Sequence, residues 1–481
     1  MPTVLFEKDC GRTFVPARFA LLLATGGLGL CLCAPVFAQD LGGLRGVSGD
    51  DTAQGVAEPD AASGDPDIIL PDDDAVFSPT RALPVSAVGP LQTGSVREEG
   101  NPYAALGKPL GSFVLRSTLD LGLNGKRESG SNTLSGEGSL QLDLESDWSR
   151  HALDISAFGR LQRGLSGDDT LEPEGTINAT GRLDIGASTT LTGRLGYSYA
   201  LDDPQSAAFI AATDPGLIPV VTGVNDPPTQ TFSGSLALRQ EVGRLYGEGE
   251  LSVEHSMYGD AELSDATVIP QSDLDNTTID GRLRAGIEAS AVFSPFIEAT
   301  YGVRRMRETP DSGGLDRNSV RYGLRLGTGI DLGEKLNGEI SAGYLREDIA
   351  DSALADIAGV SVDATFNWSP RRETDVTLDL STSTETSGGT SESGALLYAA
   401  NLGVTHRVRA NLTAEAGFGA EYRDADGSAD EVTLNADAAL TFWFNRFAGL
   451  RTRVGHEETL SSDPAKRGRT TSAYVGLRLQ R

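Results

Sequence analysis

Four histidines, His151, His255, His406 and His456, and three cysteines, Cys10, Cys31 and Cys33, are the whole supply of imidazole and thiol in this chain. Two imidazoles fall beside short polar turns and two near the far ends of alternating segments, so no spacing makes a metal pair. His255 has the parity of an apolar, outward face beside Met257 and Tyr258. A serine with a histidine on such a face would be lipolytic chemistry, but an interfacial residue is the simpler reading. Glu248 and Glu250 could act as the carboxylate pair of a glycosidase. Two positions apart on one strand, however, they point the same way, as on any acidic wall. Phosphate loops, zinc signatures and nucleophile elbows are missing from the sequence. We expect no catalytic residue, no cofactor, no metal and no enzyme.

What the sequence does repeat is charge at every second position. The stretch from Leu140 to Gln162, LQLDLESDWSRHALDISAFGRLQ, shows the unit. Leu140, Leu142 and Leu144 alternate with Gln141, Asp143 and Glu145, and after a polar turn Leu153, Ile155, Ala157 and Leu161 alternate again. Period-2 alternation puts one set on each face of a pleated strand. About 18 such segments follow one another from residue 111 to the end, an even number as in a bacterial outer-membrane barrel. One face collects Leu191, Leu195, Leu236, Leu251, Ile279, Leu283, Leu324 and Leu440, and we assign it to lipid. The other collects Arg182, Arg194, Arg239, Glu248, Glu250, Asp280, Arg282, Arg284, Glu298, Arg321, Arg325, Asp363, Asp379, Glu415, Arg451 and Arg453. Such a charge density does not suit a packed core but suits a watery lumen, so these are the expected pore-lining residues.

The connections alternate between short and long. Short turns fall at Trp148, 187–189, 242–244, 292–294, 332–335, 369–372, 407–411 and 445–446. Long ones fall at 126–132, 164–174, 202–228, 259–275, 307–317, 347–357, 385–394, 424–430 and 457–469. Short periplasmic turns and long outer loops are the pattern of a membrane barrel, with both chain ends in the periplasm. Trp148, Trp368 and Trp443, joined by Phe296, Phe442 and Phe444, lie where strands meet short turns, and Tyr197, Tyr301 and Tyr344 lie towards the long-loop ends. We expect them to form the two interface girdles.

Residues 1–38 read as a signal peptide: Lys8, Arg12 and Arg18 precede an apolar run, and Val36-Phe37-Ala38 offers a cleavage site before Gln39. Removing it leaves no cysteine, hence no disulfide. Residues 39–100, dense in Asp, Gly, Ala, Pro and Ser, read as a disordered acidic leader. A net charge of -28 on an exported chain argues against nucleic acid as a partner. The fold class is therefore all-β: a transmembrane antiparallel up-and-down β-barrel over residues 101–481, behind a disordered leader.

Two stretches carry a family resemblance: Leu110-Gly111-Ser112-Phe113-Val114-Leu115-Arg116 at the first strand and Ser146-Asp147-Trp148-Ser149-Arg150-His151-Ala152-Leu153 at the first short turn. With them, residues 102–481 resemble the β-barrel porins of Gram-negative outer membranes labelled "putative β-barrel porin 2". The resemblance implies a pore-like barrel, and some relatives are associated with polysaccharide export. One departure is the chain's ending in Leu477-Arg478-Leu479-Gln480-Arg481, without the terminal Phe that many outer-membrane barrels carry. The expected function is passive diffusion of small hydrophilic solutes with mild cation preference. Its alternatives are an accessory barrel for exopolysaccharide export and a plugged surface barrel. The expected partners are outer-membrane lipid, lipopolysaccharide, the barrel assembly machinery and a periplasmic partner of the leader. The longest loop resembles the in-folded third loop of general porins, with Asp202, Asp203, Asp214 and Asp226 on its charged side as constriction candidates, the alternative being a surface loop that hangs outside. Strand register, which decides whether pairs such as Arg282 and Glu298 meet, is not readable from one sequence.

Overall fold

The structure is a computed structural model. It describes residues 102–128, 131–166, 171–201, 227–262, 268–385, 393–425, 430–462 and 467–481. The signal peptide, the leader and the four aspartates of the longest loop lie outside the described residues.

Antiparallel strands close into a barrel of 18. They are β1 (Phe113–Glu128), β2 (Ser131–Ser146), β3 (Ala152–Ser166), β4 (Leu171–Asp184), β5 (Thr189–Leu201) and β6 (Pro228–Val242). Next come β7 (Leu245–Tyr258), β8 (Asn276–Ile287), β9 (Phe293–Met306), β10 (Ser319–Asp331), β11 (Leu336–Ile349) and β12 (Ile357–Arg371). The set ends with β13 (Thr374–Glu385), β14 (Ala395–Arg409), β15 (Leu412–Ala425), β16 (Glu431–Trp443), β17 (Ala448–Ser461) and β18 (Gly468–Gln480). Each pairs with the next, and β18 pairs with β1 from Thr118↔Gln480 to Glu128↔Thr470. Closure gives the first and last strands each other as partners, so neither is an edge open to aggregation.

Local chemistry makes the short turns. Gly243, at φ 64°, lets β6 reverse into β7, a backbone that costs glycine nothing. In the turn between β16 and β17, Asn445 Oδ1 accepts the N–H of Phe447 and of Ala448, closing the reversal through its own side chain.

The alternation holds through the ladders. Leu195, Leu236, Leu251, Leu283 and Leu326 all stand exposed on the outer face, where hydrocarbon replaces water. Exposed apolar side chains in this protein are therefore the membrane contact and not a failure of packing. The strands run further towards the long-loop end than the alternation suggests. β1 and β2 are 16 residues each and reach Glu128 and Ser131, inside the expected loop 126–132. Glu347 and Glu385 likewise lie on strands β11 and β13 rather than in loops.

The ladder between β12 and β13 is incomplete. Pairing stops at Ala364↔Leu380, although β12 continues to Ile357 and β13 to Glu385. Above that point β13 and β14 lie inside the wall. Leu396 of β14 sits in a cluster with Leu345 and Ile357, whose side chains point into the lumen from β11 and β12. Its side-chain end occupies the place a Cβ at Gly359 would take, so a larger residue there would push Leu396 aside. The sheet overlaps itself at this corner, the outer face of β13 and β14 lying on the inner face of β9 to β12.

Candidate functional site

Register brings the inward charges together in three networks. The first lies on β5 to β12 and centres on Glu298, whose carboxylate is almost fully buried. It accepts Arg282 Nη1 at 3.1 Å and Arg284 Nη2 at 2.7 Å, with Arg325 Nη1 3.5 Å from its other oxygen. Arg282 also reaches Glu248 at 2.6 Å and Glu250, which Arg194 approaches at 3.4 Å. Arg284 extends to Glu339 at 2.8 Å and Arg325 to Asp363 at 2.9 Å. Arg239 lies 3.0 Å from Glu241. Removing that many ions from bulk water is costly unless each finds a partner, and here shared carboxylates supply them.

Two aromatic rings join this network. Phe296 lies under the Arg284 guanidinium, 3.9 Å from its centre, and Tyr246 lies under Arg239 at 4.1 Å. Gly327, opposite Phe296 in the ladder, leaves room for the ring, whose edge occupies the place of a Cβ. Phe296 therefore belongs to the lumen and not to a girdle.

The second network lies nearer the long loops. Arg304 of β9 donates to Glu347 of β11 at 2.8 Å, and Glu347 also accepts the hydroxyls of Ser319 and Thr384. Arg304 Nη2 also donates to the main-chain carbonyl of Thr384 at 3.2 Å, and Arg321 Nη1 donates to its hydroxyl at 3.0 Å. Arg321 holds Asp280 through both carboxylate oxygens at 2.8 Å. Strands stand about 4.8 Å apart, so β13 is roughly 19 Å from β9 along the wall. These bonds exist because the tip of β13 has left it.

The third network bridges the closing ladder. Arg453 of β17 meets Glu137 of β2 at 2.9 Å, and Asn124 of β1 donates to the same carboxylate at 2.9 Å. Arg478 grips Asp120 with two bonds of 2.8 and 2.7 Å. Arg451 holds Glu415 at 2.6 Å. Arg182 pairs with Asp184 at 3.0 Å on β4, beside the turn into β5. Asp379, on the inward face of β13, lies opposite Thr365 in the ladder.

Every expected pore-lining residue thus stands on the inward face, and Arg282 does meet Glu298. Sequence reasoning missed Glu137, Glu339, Glu347 and Thr384 as members. Parity alone would have found Glu137 and Glu339. Among the girdle residues, Trp148, Trp368, Tyr301 and Tyr344 are exposed on the outside, and Tyr197 packs on Phe232 at 4.8 Å. Trp443 does not follow. It is buried, pairs with Gly449 and shares the inward face of Thr441, which accepts a bond from Arg451.

Three histidines carry a shared arrangement. His255, His406 and His456 each face a threonine in the ladder, and each Nδ1 lies 2.8–2.9 Å from that hydroxyl: Thr277, Thr374 and Thr471. The fourth, His151, accepts the Asp184 N–H at 3.2 Å. Among the described residues no cluster suited to a metal ion forms.

Similar folds occur in solved structures. OccK2 (OpdF) of Pseudomonas aeruginosa is similar at 12% identity and TM-score 0.38, over 77% of this chain and 98% of that one. OpdK with vanillate, from the same organism, is similar at 11% and 0.37, over 76% and 99%. The FrpB iron transporter of Neisseria meningitidis is similar at 9% and 0.36, over 73% and 63%. No functionally curated protein matches the sequence. The family model described as "Putative beta-barrel porin 2" matches residues 101–481, which include every strand of the barrel. The chain is a porin-like outer-membrane barrel and belongs to that family.

Proposed function

We propose that the barrel is a passive diffusion channel for small hydrophilic solutes, with a mild preference for cations. One observation carries the preference: the inward arginines are matched by carboxylates, and carboxylates remain over. Among the described residues, Glu254, Asp379, Glu421 and Asp437 point inward and form no ion pair, whereas Arg282, Arg284, Arg304, Arg321, Arg325 and Arg451 each hold one. Fixed negative charge in a narrow, low-dielectric passage raises the local concentration of cations. The charged residues of the inward wall are then the pore lining, and the in-folded tip of β13 and β14 narrows it.

In this reading residues 1–38 direct export, the leader stays in the periplasm with its partner, and the long loops face lipopolysaccharide. The assembly machinery inserts the barrel. A second reading, a plugged surface barrel, draws on the same overlap, because the tip bonds to Arg304, Arg321 and Glu347 on the inner face of the neighbouring wall. The deciding experiment is single-channel recording of the refolded chain from Gln39 in a planar bilayer with a salt gradient. Stable ohmic steps with a cation-selective reversal potential support the channel. Anion selectivity contradicts the preference, and silence from a folded barrel favours the plugged reading.

A further inference from the structure

The break between β12 and β13 is not a random end of pairing. Continuing the register from Ala364↔Leu380 upward places Val362 opposite Thr382, Ser361 opposite Ser383 and Val360 opposite Thr384. Side chains already occupy the next rungs. The Thr382 hydroxyl lies 2.9 Å from the Val362 N–H, which donates to it, and 2.9 Å from the Val362 carbonyl, to which it donates. The Tyr398 phenol donates to the Val360 carbonyl at 2.9 Å. Thus the edge of β12 keeps hydrogen bonds while its strand partner is folded inward, which a buried edge requires.

Two latches hold the tip in. One is polar: Thr384 bonds through its carbonyl to Arg304 and through its hydroxyl to Arg321 and Glu347. The other is apolar: Leu396 seats against Gly359 and packs with Leu345 and Ile357, the hydrophobic cluster on the inner wall. Both sets of contacts would be exchanged for ladder hydrogen bonds if the tip returned to the wall. A second, zipped arrangement that satisfied the same groups in the ladder would make the element bistable.

We propose that residues 381–385 of β13 and 395–398 of β14 form a strand flap with two seats. Folded in, it narrows the mouth at the long-loop end. Zipped onto β12 in the preset register, it completes the wall and widens the mouth. The hinge lies at Leu380, where pairing with β12 ends. β14 remains paired to β15 throughout, so the flap moves as a bending ribbon rather than as a loose loop. This inference rests on the channel reading for its functional meaning, but its geometry does not.

The test uses the refolded chain from Gln39, in which introduced cysteines are the only ones because Cys10, Cys31 and Cys33 are absent. Gly359→Cys with Leu396→Cys, bridged by a short bismaleimide that adds to both thiols, tethers the flap inward. Ser361→Cys with Ser383→Cys, exposed to a mild oxidant such as copper phenanthroline, joins as a disulfide only when the ladder is zipped. We expect both pairs to cross-link in lipid vesicles. The first should lose the larger openings of the wild type, the second should lose the smaller ones, and reductant should undo the second. Thr384→Val, lacking the polar latch, should spend more time at the larger level.

Cross-linking of the first pair alone overturns the flap and leaves a fixed constriction. Cross-linking of both with unchanged conductance levels overturns it too. Should the second pair fail to fold, spin labels at Ala353→Cys and Glu385→Cys decide the same question: two distances support the flap and one distance sinks it. A wild type that stays silent while both pairs cross-link retains the flap and removes the diffusion reading.

Discussion

Arg453 and Glu137 stand 316 positions apart in sequence and 2.9 Å apart in space. Between them run β18 and β1, so the pair straps the ladder where the two ends of the barrel meet. Glu137 is buried, and its carboxylate also satisfies Asn124. Replacing it by alanine strands two donors, and the loss should be about 1–3 kcal/mol. Urea unfolding in lipid vesicles reads this directly. Arg453→Ala should cost less, because that side chain is partly exposed, and the double variant should fall short of the sum of the two.

Glu347 presents a harder case. It is the carboxylate partner of the buried Arg304 cation and also holds Ser319 and Thr384. Glu347→Ala leaves an uncompensated buried charge, a loss of about 3–5 kcal/mol. Glu347→Gln keeps one acceptor and should cost less. Equal unfolding midpoints for wild type and alanine variant would remove Glu347 from this role.

Selectivity offers a third measurement. Glu421→Gln with Asp437→Asn removes inward carboxylates that hold no ion pair, so the reversal potential in a salt gradient should move towards zero. Glu298→Gln deprives Arg282, Arg284 and Arg325 of a shared anion and should move it further, towards anions. A reversal potential unmoved by all three changes would mean that wall charge does not set selectivity.

An outer-loop carboxylate gives a pH test. Asp351 accepts the N–H of Ala353 at 2.9 Å and of Asp316 at 3.1 Å, tying two loops together. These backbone donors hold its carboxyl below the ordinary value of 3.8. A lowered folded value means that the tie is complete above the ordinary carboxylate range and is lost as pH falls through the lowered value. Hydrogen exchange at the Asp316 and Ala353 amides should therefore stay slow near neutrality and quicken only in strong acid. Asp351→Asn should quicken it at every pH, and an unchanged rate in that variant would refute the tie.

Alternation and turn rhythm make the barrel, the strand number and the two faces legible, because lipid on one side and water on the other force a strict period of two. Strand tops escape the same logic. Beyond the hydrocarbon no apolar face is required, so Glu347 and Glu385 sit in polar runs that look like loops. Trp443 departs from the girdle because it shares the parity of Asp437 and Thr441, opposite to the lipid-facing Leu440, so the alternation already placed it inward although its position at a short turn suggested a girdle. The overlap of β13 with β9 is invisible in the sequence for another reason. It depends on a missing rung of the ladder, and pairing is a property of two strands rather than of either sequence.

The strands' length has its own consequence. On β1 the outward apolar series ends at Leu123 and on β2 it resumes only at Leu134, so the intervening strand residues stand beyond the hydrocarbon. A membrane crossing needs only about 9–11 residues per strand. The surplus forms a hydrogen-bonded collar that keeps the outward-facing rim of this part of the wall regular. An antibody or phage approaching there would meet a stiff palisade of paired backbone bearing polar and charged side chains such as Arg127 and Asn132.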